Sequence, residues 1–103
     1  MQLTAKESSC TEYICFCAFL SSNKKVSESA GRIMDLLRIG ALPTEILSNY
    51  KNDFDVVIED LSRAEDFQLD PKLGSKTNEK IIWNYRQIKV AYETLKKIRE
   101  EIV

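Results

Sequence analysis

In the last quarter of the chain, Ile81, Tyr85, Ile88, Tyr92, Leu95 and Ile102 recur at alternating steps of four and three, with Arg99 as the one interruption. That spacing lines apolar side chains along one side of a helix, because 3.6 residues complete a turn. Ile82, Ala91 and Ile98 widen the strip, while Trp83 and Val90 fall outside it. A helix over 78–102 would be almost 40 Å long at ~1.5 Å per residue. It has to cover its strip with other elements, and the remainder of the chain predicts helices to do so.

A first helix begins after Thr4. Thr4 and Glu7 form a capping box, in which the hydroxyl accepts from an orphan N–H and the carboxylate reaches back. Cys10, Tyr13, Ile14, Cys17, Ala18 and Leu20 follow at helical spacing, with Phe16 and Phe19 extending the apolar surface. The run Tyr13 to Phe19 has a composition that also suits a buried strand. Residues 21–25 break the pattern. A second helix is predicted to open at Ser27, with Ala30, Ile33, Met34, Leu36 and Leu37 facing inward. Gly40 fits the left-handed position that ends helices, and Pro43 fits a first helical position. A third helix then carries Ile46, Leu47, Tyr50, Phe54, Val57, Ile58, Leu61 and Ala64. Ser48-Asn49 and Asn52-Asp53 weaken it, so a break near 51–53 would make two helices of it. Residues 67–77 read as the one clear loop, with Thr77 capping the last helix.

Three Gly and two Pro are too few for a sandwich or barrel, which turns every ~8–12 residues. The expected fold is therefore all-α: a single helical domain over 1–103, built as an antiparallel helical bundle of four helices, or five if the third is split.

The chain has no His. That removes Ser–His and Cys–His nucleophiles, His-ligated zinc and His acid–base chemistry. Gly31, Gly40 and Gly74 are isolated, so no phosphate-cradling loop exists. Asp55 and Glu59 at i, i+4 share a helix side, but bundle metal sites recruit carboxylates and His from several helices. A solvated acidic face is the simpler account. The expectation is a protein that is not an enzyme and holds no cofactor.

Cys10, Cys15 and Cys17 make an odd set. On one helix Cys10 and Cys17 sit about 10 Å apart, beyond the ~7 Å limit for a disulfide. They read as reduced thiols packed as small hydrophobes; a metal or redox site would need a fourth ligand. No apolar run approaches the ~18–20 residues of a membrane span. Glu7 and Glu12 do not suit a signal peptide. A cytoplasmic location is expected.

Charge totals hide an asymmetry. Residues 41–70 carry eight acids and two bases; residues 71–99 carry eight bases and two acids. Two readings follow. The segments are neighbours whose rims attract, or one of them meets an oppositely charged partner. On the second reading Asp55, Glu59 and Asp60, or a face around Trp83 with Arg86 and Lys89, would contact another protein. The long strip of the last helix also permits a homodimer through helix packing.

Residues 30–61 contain helix, Gly turn, helix: Ile33 to Ile39, Gly40, then Pro43 to Leu47. This resembles the helix-turn-helix units of small transcription regulators and antitoxins. The resemblance implies base contacts from Thr44, Glu45, Ser48, Asn49 and Lys51, within residues 30–51. Asp53, Asp55, Glu59 and Asp60 follow, and a phosphate backbone would repel them. Lys80, Arg86, Lys89, Lys96, Lys97 and Arg99, with Trp83, Tyr85 and Tyr92 between them, are a second nucleic-acid route, although Tyr85 and Tyr92 fall on the core strip. The leading expectation is a small helical protein that binds another protein as inhibitor, immunity or anti-host factor, adaptor or assembly subunit. A DNA-binding regulator is the alternative.

Overall fold

A computed structural model describes residues 2–39, 44–64 and 75–102, with side chains at 2–39, 45–63 and 86–102. The predicted Gly40 terminator, the Pro43 helix start and the loop over 67–74 lie outside the described residues, as do the side chains of Ile81, Ile82, Trp83 and Tyr85.

The chain forms α1 (Ala5–Phe19), α2 (Lys24–Arg38), the one-turn α3 (Thr44–Leu47), a 3-10 turn (Ser48–Tyr50), α4 (Lys51–Ala64) and α5 (Ser75–Glu101). No strand occurs among the described residues, so Tyr13 to Phe19 is helix. The all-α bundle expected from the spacing is the fold observed.

The capping box forms as read. Thr4 Oγ1 accepts from Glu7 N at 3.1 Å, and Thr4 N donates to Glu7 Oε1 at 3.0 Å. The second helix starts earlier than its sequence predicted. Asn23, not Ser27, is the cap, its Oδ1 accepting from Lys25 N and Val26 N. Asn caps at least as well as Ser, and the earlier start brings Val26 into the core. Ser27 instead donates its hydroxyl to the Phe19 carbonyl at 2.5 Å, tying the turn between the two helices. The split in the third stretch falls at Ser48–Tyr50, one turn before the expected position. There the Ser48 hydroxyl donates to the Glu45 carbonyl at 2.9 Å, the local side-chain bond that competes with regular helix. α5 is already helical at Ser75, two residues before the predicted cap at Thr77.

Helices α1, α2, α4 and α5 form a ring in which α1 borders α2 and α5, and α4 borders the same two. Cross-links give the directions. Ser27 near the start of α2 reaches the end of α1 at Phe19, while Arg38 at the end of α2 meets Glu12 farther back in α1 at 3.0 Å. Lys97 near the end of α5 meets Glu7 at the start of α1 at 3.5 Å, and Arg99 meets Asp55 at the start of α4 at 2.8 Å. Each helix thus runs antiparallel to its neighbours, the up-and-down arrangement of a helical bundle.

The core is filled by Ile14, Cys15 and Ala18 from α1, Ile33, Leu36 and Leu37 from α2, Phe54, Val57 and Leu61 from α4, and Ala91, Leu95 and Ile98 from α5. Ile88 and Tyr92, placed on the core strip by their spacing, pack at its edge and are only partly buried. Ile46, also expected inside, is exposed.

Candidate protein-binding surface

The inner face of α1 differs from the one its spacing predicted. Thr11, Ile14, Cys15 and Ala18 point inward. Tyr13, Cys17 and Leu20 point outward, and Cys10 is only partly covered. α1 is apolar around most of its circumference, so periodicity does not select a side. Size does: small Thr11, Cys15 and Ala18 let the helix sit close to α2 and α5, and interiors at crystal-like density favour close approach.

The bulky residues are left on the side facing water. Tyr13, Phe16, Phe19 and Leu20 expose 45%, 45%, 43% and 66% of their surface. At 100° per residue, Tyr13, Phe16, Cys17 and Leu20 share one face, opposite the buried one. Phe19 lies to the side of that ridge and against α2. A Cβ placed on Gly31 would sit 3.1 Å from its ring, so the missing side chain makes room for the phenyl group. Ile39, at the end of α2, is also exposed.

Shallow grooves flank the ridge. One, between α1 and α2, is lined by Ser9, Glu12, Tyr13, Phe16, Met34 and Arg38, with the Glu12–Arg38 ion pair across it. The other is bordered by Tyr13, Cys17, Ser21, Asp60, Leu61 and Ile88.

The residues singled out from charge are distributed differently. Asp55 is held by Arg99 of α5 at 2.8 Å. Glu59 pairs with Arg63 one turn along the same helix at 3.3 Å. Asp60 is half-buried at the edge of the second groove, beside Tyr13 and Cys17. Arg86 and Lys89 are exposed on α5. Trp83 belongs to α5, but its side chain lies outside the described residues. Asp53, another of the eight acids of residues 41–70, is buried against α2: Ser29 Oγ donates to it at 3.0 Å and Arg32 Nη2 at 2.9 Å. The acidic segment is therefore answered from two sides, by Arg32 of α2 and by Arg99 of α5.

The would-be recognition segment is α3, a single turn, followed by the 3-10 turn. Glu45, Ser48, Asn49 and Lys51 are exposed there, and so are Asp55 and Glu59 farther along.

The thiols are three free cysteines. Cys15 is fully buried, and burial, helped by nearby Glu12, pushes its thiol up to about 12. It behaves as the small core hydrophobe expected. Cys17 does not; it is exposed on the ridge. Among the described residues no group of three acidic or cysteine side chains gathers to hold a metal, and no helix is long and apolar enough to cross a membrane.

The exposed ridge had a sequence signal, the apolar excess of Tyr13 to Leu20 beyond one strip. What the sequence lacked was the side chosen for the core. Comparison with family models, with curated proteins and with solved structures returns no match to this chain.

Proposed function

We propose that this chain works by binding another protein, with the outer face of α1 as the contact. The observation that carries the reading is the exposure of Tyr13, Phe16 and Leu20 along one face of α1, with half-exposed Phe19 beside it. Aromatic groups are enriched in interface cores and at binding hot spots. A contiguous apolar patch rimmed by polar groups marks an interaction site, and Ser9, the Glu12–Arg38 pair and Asp60 are such a rim. The role that fits is occlusion or scaffolding, as an inhibitor, immunity or anti-host factor, adaptor or assembly subunit. Asp60, with Arg86 and Lys89 on α5, would set orientation and on-rate, which is the usual contribution of rim charge. No catalytic residue and no cofactor enters this reading, and it places the chain in the cytoplasm.

The test is capture of partners from the cells that make the protein, using the wild-type chain and the Phe16→Asp and Leu20→Asp variants. A partner retained at stoichiometric amounts by the wild type and lost by both variants supports the reading. Capture unaffected by either variant contradicts it.

DNA binding through residues 30–51 is the second reading, favoured by the exposure of Ser48, Asn49 and Lys51. Exposed Asp55 and Glu59 oppose it electrostatically. Duplex binding that weakens steeply with salt would support it, and no binding at low salt removes it.

A further inference from the structure

We propose that the occupant of the α1 ridge is a second copy of this chain, paired antiparallel through Tyr13, Phe16, Cys17 and Leu20; this rests on the reading of α1 as a docking face. Three observations point to a second copy.

The first is area. With full side chains at about 200 Å², the exposed fractions of the ridge residues Tyr13, Phe16 and Leu20 amount to roughly 300 Å² of mostly apolar surface. A stable interface buries ~800 Å² per partner, of which ~60% is non-polar. The ridge supplies a little over half of that apolar share of about 480 Å², and its polar rim supplies the kind of surface that surrounds it.

The second is charge. Tyr13 to Leu20 is eight residues without a charged side chain. The flanking acid, Glu12, is already engaged by Arg38. An oppositely charged partner finds nothing in the ridge to read, whereas an uncharged ridge is complementary to itself. Isologous pairing, in which one patch meets the same patch, is the commonest way for a chain to associate. Antiparallel pairing also sets the positive end of each helix dipole beside the negative end of the other.

The third is register. A two-fold axis passing between Phe16 and Cys17 brings Tyr13 of one copy to Leu20 of the other, and Phe16 to Cys17. All four residues lie on one face, and the two Cys17 thiols meet near the two-fold axis, closer to each other than the ~8–10 Å that separates the axes of packed helices.

The experiment is sedimentation of the purified full chain over a range of concentrations, together with a short bismaleimide cross-linker. The expected result is a species of two 11.9 kDa chains, whose dissociation constant rises at least tenfold in Phe16→Asp and Leu20→Asp. Cross-linked dimer should form in the wild type and in Cys10→Ser, and not in Cys17→Ser. The wild-type cross-link does not depend on any variant folding. A monomer at every concentration overturns the proposal, as does a dimer that survives both ridge substitutions or cross-links without Cys17. If the monomer still captures another protein through Phe16, the second copy is removed as occupant and the docking face stands. If it captures nothing, both fail.

Discussion

Arg32 on α2 holds Asp53 on α4 at 2.9 Å, with the acid buried and the base half in water. The arrangement lets the carboxylate lie against the core while the guanidinium keeps part of its hydration. Ser29 completes the site from below, donating at 3.0 Å. This bond also holds the guanidinium in its charged form: the Asp53 hydrogen bond, then its charge, raises the Arg32 pKa further above its ordinary value.

Asp53→Ala removes the acceptor for a buried hydroxyl and for the guanidinium together. Hydrogen bonds to charged groups are worth ~1.5–3 kcal/mol and orphaned buried donors cost a similar amount, so a loss of about 2 kcal/mol is expected in urea denaturation. Asp55→Ala, whose partner Arg99 lies at the surface edge, should cost well under half of that. Equal losses would show that burial does not separate the two pairs.

Thr11 is fully buried, and its hydroxyl has no hydrogen-bond partner among the described residues. Removing an unsatisfied polar atom while keeping the branched shape relieves its desolvation cost. Thr11→Val should therefore stabilise the chain by about 1 kcal/mol. A destabilised variant would mean that the hydroxyl is bonded in solution, for instance to a buried water.

The thiols should separate by reactivity and by pH. Cys17 should alkylate quickly in the dilute native chain, and Cys15 only as fast as the chain unfolds. The Cys15 thiol rises from the ordinary value of 9.0 to about 12 on folding. Its stabilising share is whole below pH 9.0 and is lost as pH rises toward the folded value, because the unfolded thiol ionises first. The stability difference between wild type and Cys15→Ala should fall in that window by on the order of 1 kcal/mol per pH unit. A difference that stays flat across it would contradict the burial.

Glu7 shows the opposite sign. The backbone N–H of Thr4 is the largest influence on its carboxylate and lowers its pKa from 4.5, with Lys97 adding to the effect. Its contribution is complete above pH 4.5 and disappears as pH falls through the lower folded value. Thermal melts of Glu7→Gln should lose less on acidification than those of the wild type. Thr4→Ala should cost about 1 kcal/mol at neutral pH, the usual worth of such a cap.

Much of the fold was legible because it rests on local rules. The strip Ala30, Ile33, Met34, Leu37 is buried as its spacing requires, since α2 has one apolar side and a polar one. The Thr4–Glu7 box needs only four consecutive residues. α1 was not legible in the same way. With apolar groups nearly all round, its orientation was set by the fit of Thr11, Cys15 and Ala18 against two other helices, a tertiary fact. The burial of Asp53 was not legible for a related reason: composition shows it only as one of eight acids in residues 41–70, and only the position of Arg32 and Ser29 one helix away makes its burial tolerable. The segregated charges were correctly seen but needed the ring order of the helices to show that Asp55 meets Arg99.

On the proposed reading, the α1 ridge is covered when the protein is at work. The most direct measurement is the rate at which Cys17 reacts with a small permeant maleimide, read by mass spectrometry. It is compared between the dilute purified chain and the intact cells that produce it, with Cys17-containing peptide as the reagent standard. Rapid modification in dilute solution and protection of at least tenfold in the cell are expected. Equal rates in the two settings would contradict that reading.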